Sequence, residues 1–377
     1  MQDARIQQLA RTLVYHSCQV KSRDIVVIEF SGIAAMPLVH ACIEEITYAG
    51  GIPFCFFHSE QLMRSFFVHA TEEQYRAYGA MMRQMMEACH CYIGIRSSEN
   101  PFELADLTLE SQRNHTVHLW KSVHLDVRLQ KRWVVLRYPN AYLSVQAEMP
   151  SEHFYRLFFR VCNMNYAYLA KAIQPLRELM EATDQVRILG PSTHLTFSIK
   201  GMPIVPCVGE NNVPDGEIFT APLRESIQGV VSFNTPTIYQ GIRFERIKLE
   251  FRDGRIIDAS AAFNQDQLNR ILDTDDGARY IGEFAIGLNP FIDRPILDPI
   301  FDEKIYGSFH LKPGNSYEAA DNGNRSSVLW NLVSIQLPAW GGGEIYFDDV
   351  LVCKDGSFVH PALEALLSLD ALKRSMT

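Results

Sequence analysis

Residues 24–57 read "DIVVIEFSGIAAMPLVHACIEEITYAGGIPFCFF", and the change of texture along them decides the fold. "DIVVIEF" (24–30) and "IPFCFF" (52–57) are short apolar runs of buried-strand type, whereas "MPLVHACIEEITYAGG" (36–51) has helical spacing and stops at a glycine pair. Strand, helix and strand in that order imply two parallel strands joined by a covering helix. The alternation continues through a helix at "TEEQYRAYGAMMRQMMEAC" (71–89) and a strand at "CYIGIR" (91–96). A helix at "ELADLTLESQRNHTVHLW" (103–120) and a strand at "KRWVVLRYP" (131–139) follow. Residues 151–184 read as one or two long helices that bridge to what comes next. Met81, Met82, Met85 and Met86 read as helix-packing filler. No GxGxxG fingerprint follows any of these strands, so no dinucleotide site is expected.

From about residue 186 the pattern changes to strands of alternating polarity separated by Gly-, Pro- and Asn-rich turns, among them "QVRILG" (185–190), "THLTFSIKG" (193–201) and "IKLEFRDGRIIDASA" (247–261). A helix around "NQDQLNRILDTDDGARY" (264–280) interrupts them. The expected architecture is therefore an N-terminal parallel-sheet α/β domain over residues 1–185 and a C-terminal antiparallel β-rich α+β domain over 186–377. A chain of 377 residues exceeds the roughly 250–300 at which a single core stops growing, which agrees with two domains.

The formal charge of −9 argues against general binding to nucleic acid or anionic membranes, and no window is apolar for the eighteen or so residues that a membrane helix needs. The start "MQDARIQQLARTLVYHSCQV" carries an early acid and reads as a first helix of a cytoplasmic protein rather than a secretory signal. The eight cysteines are scattered, mostly inside apolar runs as at Cys55 and Cys353, which is how reduced, buried thiols look. Cys89, His90 and Cys91 lack the spacing and second ligand pair of a zinc site.

Candidate chemistry gathers in the second domain. Glu217 follows a turn-forming Asp-Gly in "DGEIFTAP" (215–222) and begins an apolar run, where an unpaired charge is costly. Glu283 lies among small and apolar residues in "ARYIGEFAIGLNP" (278–290), and His310 lies in "YGSFHLKPGNSY" (306–317). Two carboxylates and an imidazole suit Zn²⁺, Mn²⁺, Co²⁺ or Fe²⁺, and the associated chemistry is Lewis-acid hydrolysis.

The blocks "PDGEIFTAP" (214–222), "GARYIGEFAIGLNP" (277–290), "DEKIYGSFHLKPGNSY" (302–317) and "GNRSSV" (323–328) closely resemble the thermophilic metalloaminopeptidases, the group of aminopeptidase T and aminopeptidase S. The resemblance runs from about Ser22 to near the C-terminus. It implies a homodimeric, two-domain metallopeptidase that removes residues from peptide N-termini with two divalent ions. The ligands it implies are Glu217, Glu283 and His310, with Glu303 in "FDEKIYG" as a further one. Glu283 and Tyr317 are the acting groups. Members read "SxxHxD" after the Asn-x-Ser, whereas this chain reads "NRSSVLWNLV" (324–333), with Leu329 and Asn331 where the second His and Asp belong. That change leaves one ion or none. The expectation is an aminopeptidase-like hydrolase with a remodelled, mononuclear site acting on a peptide or small molecule. Alternatives are a tailoring enzyme for a small aromatic or aminoacyl substrate and a metal-free, non-peptidase binding protein. Ring-cleaving dioxygenases of hydroxylated pyridines also look similar, but their two-His, one-carboxylate triad needs the missing pair.

Overall fold

The structure, a computed structural model, describes residues 3–100 and 102–374. The chain forms two compact units, Met1–Asn163 with Gly209–Val213, and Met164–Val208 with Pro214–Thr377. The division lies ahead of the helices Tyr166–Ala172 and Gln174–Ala182 rather than at 185/186. Leu169, Ile173, Leu176 and Met180 of those helices are buried in the same core as Val186 and Ile188. Residues 151–184 accordingly hold three helices: Ser151–Cys162 ends before Asn165, whose side chain caps the second, and Pro175 opens the third.

In the first unit, β1 (Ile25–Phe30), β2 (Ile52–Phe57), β3 (Cys91–Arg96), β4 (Arg132–Arg137) and β5 (Asn212–Val213) form a parallel sheet in the order β2-β1-β3-β4-β5. The helices α1 (Met36–Tyr48), α2 (Glu60–His69) and α3 (Glu72–Ala88) lie between its strands in sequence. Gly32, on the turn out of β1, has a φ of +75°, and a Cβ there would stand 2.1 Å from the Ser97 carbonyl oxygen, so only glycine fits. β2 is an edge strand, and the run expected to be buried is not: Ile52 and Phe54 are 55% and 50% exposed, and Cys55 is exposed too. Hydropathy cannot tell a central strand from an edge one. All eight cysteines are free thiols. The helix expected over 103–120 starts at Leu109, where the Thr108 hydroxyl accepts from the Ser111 N–H at 3.1 Å, and runs on in π-helical form to Leu125. No helix of the described residues is long and apolar enough to cross a membrane.

The second unit is antiparallel, as its alternating strands require. An eight-stranded sheet runs from Arg255–Ser260 at one edge, through Thr193–Ser198 and Gln185–Gly190, to Ser357–Phe358 at the other. A five-stranded sheet contains β6 (Glu217–Thr220), β7 (Ile281–Gly287), β8 (Ser308–Pro313) and β9 (Leu332–Ile335) in the order β9-β8-β7-β6, closed by Val205–Cys207. Ile218, Phe284, Ile286, Phe309 and Leu311 point into the shared core, where the Phe284 ring meets Phe197 of the larger sheet at 5.0 Å. Because side chains alternate along a strand, Glu217, Glu283, His310 and Lys312 all fall on the opposite face.

That face is also covered, and glycine permits it. Gly287 pairs with Glu217 in the ladder, and a Cβ on it would lie 2.2 Å from the Ile305 carbonyl oxygen, the residue after Lys304. Gly287→Ala should therefore push the 304–305 backbone away and destabilise the protein by about 1–3 kcal/mol, lowering its melting temperature by about 2–10 °C. Gly190→Ala, whose Cβ would meet only ordinary contacts from 3.6 Å, should leave it nearly unchanged. Equal melting temperatures for the two variants would show that this close approach is not needed.

Candidate metal centre

The strand face opposite the core carries a closed cluster of charge. Glu217, Glu283, Glu303 and Asp215 are all buried, and so are Lys304, Lys312 and His310. Lys304 Nζ lies 2.6 Å from Glu217 Oε1, 2.6 Å from Glu303 Oε1 and 3.8 Å from Asp215 Oδ1. Lys312 Nζ lies 2.8 Å from Glu283 Oε1 and 2.9 Å from Glu303 Oε2. Glu303 thus bridges the two ammonium groups. Each element supplies what its register allows: Glu283 stands opposite Lys312, and Ala285, too small to intervene, stands opposite His310.

Burial by itself would raise the Glu283 carboxyl, but Lys312 and the His310 hydrogen bond outweigh it and hold the group below its ordinary value. Glu303 is depressed as well, because Lys304 and Lys312 overcome its desolvation. Burial also works against charge on the two lysines, yet the surrounding acids keep both well above the usual lysine range. Glu217 differs, since desolvation exceeds the pull of Lys304 and its carboxyl is pushed up to about 7.

With Glu283 ionised, and therefore only an acceptor, the 2.7 Å contact makes His310 Nε2 the donor. The other ring nitrogen, Nδ1, then presents a lone pair. It is buried without a hydrogen-bond partner, as is Glu217 Oε2, and the two atoms lie 3.9 Å apart. Glu217, Glu303 and His310 can each bring one ligand atom within 4.8 Å of the others. Two unpartnered buried acceptors facing one another are what a divalent cation would satisfy, and the carboxylate on the far side of the imidazole is the arrangement that orients metal-bound histidines. The formal count agrees: four carboxylates against two ammonium groups leave two negative charges. Cys207, Asp215 and Glu217 also approach within 4.8 Å, but burial and the adjacent acids keep the Cys207 thiol protonated and so a poor ligand.

Glu217 Oε2 and His310 Nδ1 face a position where an ion would share Glu303 with the two ammonium groups. A second ion next to Glu283 and Glu303 would need the oxygens that Lys312 already holds. Leu329 is 38% exposed and contributes no ligand, and Asn331 lines a small separate cavity with Asp302 and Val333. Tyr317 lies at the rim, 40% exposed, with its ring 5.4 Å from Lys312 Nζ. Lys312 favours ionisation of this phenol, but burial and the three glutamates outweigh it, so the hydroxyl stays protonated and able to donate. Among other acids of the unit, Asp348 accepts the backbone N–H of Asp184 and Gln185, and Asp349 pairs with Arg187. Asp215, Lys304 and Lys312 are the members that sequence reading missed. The available signal was Lys312 two residues after His310, on the same side of an otherwise apolar strand.

A family model described as thermophilic metalloprotease (M29) matches residues 2–331. Aminopeptidase AmpS of Bacillus subtilis is 38% identical over 129 residues, covering 32% of this chain and 30% of that protein. Aminopeptidase 2 of Geobacillus stearothermophilus is 34% identical over 161 residues, covering 38% and 37%. The chain thus aligns with about a third of the length of the curated relatives it matches. Among solved structures, AmpT from Thermus thermophilus superposes with a TM-score of 0.77 at 19% identity over 95% of this chain and 99% of that one. 2,5-Dihydroxypyridine dioxygenase from Pseudomonas putida KT2440 superposes with a TM-score of 0.60 at 15% identity over 95% and 98%. At those identities the likeness is one of fold.

Lys312→Leu removes one of two internal cations and should cost about 3–5 kcal/mol at pH 7, measured by urea denaturation. The Glu283 and Glu303 carboxyls are depressed below 4.5, so this stabilisation is present above that pH and should fade as pH falls below it. A variant as stable as the parent at pH 7 would mean that these acids do not depend on Lys312.

Proposed function

Because the chain belongs to the thermophilic metalloprotease (M29) family, we propose that it is a divalent-metal-dependent, aminopeptidase-like hydrolase whose site works with a single ion. The observation that carries this reading is the pair of buried, unpartnered acceptors, Glu217 Oε2 and His310 Nδ1, beside a second position already filled by the Lys312 ammonium.

Glu217, Glu303 and His310 would hold the ion. When bound, Zn²⁺, Co²⁺, Mn²⁺ or Fe²⁺ supplies Lewis acidity, which lowers the pKa of a bound water towards about 7 and polarises a scissile carbonyl. Glu283 acts through His310, accepting from Nε2 and orienting the ring so that Nδ1 faces Glu217. Lys312 holds Glu283 and Glu303 ionised and in place. Tyr317, protonated and at the rim, is positioned to donate to the oxyanion that forms on the attacked carbonyl. Glu217 takes up a proton near pH 7 when no ion is present, so proton and ion compete for Oε2. The substrate in this reading is a peptide N-terminus or a small aminoacyl molecule, and the protein is a cytoplasmic homodimer.

Elemental analysis after incubation with each of the four ions tests the reading. About one ion per chain is expected for the parent protein and none for Glu217→Gln or His310→Ala, with loss of release of the N-terminal residue from peptides. Tyr317→Phe should retain the ion while kcat falls by about 10²–10³-fold. Leu329→His with Asn331→Asp should not add a second ion while Lys312 remains, and should add one once Lys312→Ala is combined with them. A parent protein that binds no ion under any of these conditions would leave the cluster as a metal-free site neutralised by its own lysines.

A further inference from the structure

The first unit contains a cavity of about 370 Å³ that the charge cluster does not explain. Its floor is the carboxyl edge of the parallel sheet, where Glu29 is the penultimate residue of β1 and Arg96 and Arg137 are the last of β3 and β4. That edge is where open α/β sheets hold ligands. Its cover is helical and apolar, with Phe67 from α2, Tyr78 and Met82 from α3, and Leu119 and Trp120 from the π-helical stretch.

The polar end carries both signs of charge. Arg96 Nη1 lies 2.6 Å from Glu29 Oε1, and Arg96 Nη2 donates to the Tyr92 hydroxyl at 2.7 Å. Burial would raise the Glu29 carboxyl, but Arg96 overrides it and holds the group at about 2, so the pair is ionised throughout the working range. Glu60 accepts from the Ser98 hydroxyl at 3.1 Å, and Arg137 completes the set. His58, His115 and His124 also line the space, and desolvation depresses all three, His124 to about 4, so they are neutral donors and acceptors.

Each alternative ligand class meets an obstacle. A phosphate or other polyanion would face Glu29 and Glu60 as well as the arginines, and no glycine-rich loop offers it backbone N–H groups. The triads with metal-ligand geometry among the described residues all lie in the second unit. A volume near the lower end of the range of about 300–1,000 Å³ for ligand pockets suits one small metabolite rather than a polymer. What remains is a molecule with one positive and one negative group at one end and an apolar body at the other.

We propose that this cavity binds a free amino acid with a large apolar side chain, its carboxylate towards Arg96 and Arg137, its ammonium towards Glu60, and its side chain against Phe67, Tyr78 and Leu119. The site is separate from the charge cluster and does not rest on the hydrolase reading.

Titration calorimetry on the full chain tests it, with L-phenylalanine and L-leucine as probes. One saturable site per chain with a dissociation constant below about 1 mM is expected. 3-Phenylpropionate, which lacks the ammonium, should bind about tenfold more weakly, as should phenethylamine, which lacks the carboxylate. Glu60→Gln should weaken L-phenylalanine by about tenfold and leave 3-phenylpropionate unchanged, a pattern that loss of structure would not give. Leu119→Trp, checked for an unaltered circular dichroism spectrum, should abolish binding by filling the cavity. Glu217→Gln, in the second unit, should bind as the parent does. Absence of binding at about 10 mM would overturn the proposal. So would loss of binding in Glu217→Gln, which would place the amino acid in the charge cluster.

Discussion

Asp215, Glu217, Glu283 and Glu303 all lose water when the second unit folds, and an ionised carboxylate buried without compensation costs several kcal/mol. That cost organises everything near them. Lys304 sits on the turn ahead of β8, where it reaches Asp215, Glu217 and Glu303 together, and Lys312 sits opposite Glu283 in the ladder. The close approach at Gly287 lets the Lys304 segment lie against the strand, so a residue with no side chain and a fully charged one serve the same purpose. Glu217 Oε2 and His310 Nδ1 face one another across 3.9 Å without a hydrogen-bond partner.

The alternating strand pattern separates the two tasks of this sheet. One face gives Phe284, Ile286, Phe309 and Leu311 to a core shared with the larger sheet, while the other gives charge to the site. A one-residue slip between β7 and β8 would exchange the faces, placing Glu283 in the core and a phenylalanine in the cluster. Register is therefore enforced from both sides, and the geometry of the charged groups inherits the rigidity of the packed ones.

Much of this was legible in the sequence, for reasons that differ by element. The strand-helix-strand texture of residues 24–57 and the period-two strands beyond 186 follow from burial on known faces, and the structure contains both. β2 was misjudged because an apolar run looks the same at an edge as at the centre, and edges are decided by strand order. The division between units moved because the 166–182 helices pack with strands that come after them. Glu217, Glu283 and His310 stood out by their place in the sequence, whereas Glu303, between Asp302 and Lys304, was named only through the resemblance. Lys304 and Lys312 did not stand out, since a lysine next to a glutamate or before a proline is common on surfaces, and only the ladder shows where its ammonium ends.

The internal lysines also set an order of events. Small domains that rely on a metal for all of their charge compensation remain unfolded until it arrives, so synthesis and loading are one step. Here the chain brings two of the cations itself, which means the acids can be enclosed before any ion is bound. On the reading proposed above, maturation is a filling step on a finished scaffold, and scarcity of metal would leave a stock of folded, idle protein rather than a supply of unfolded chains for proteolysis.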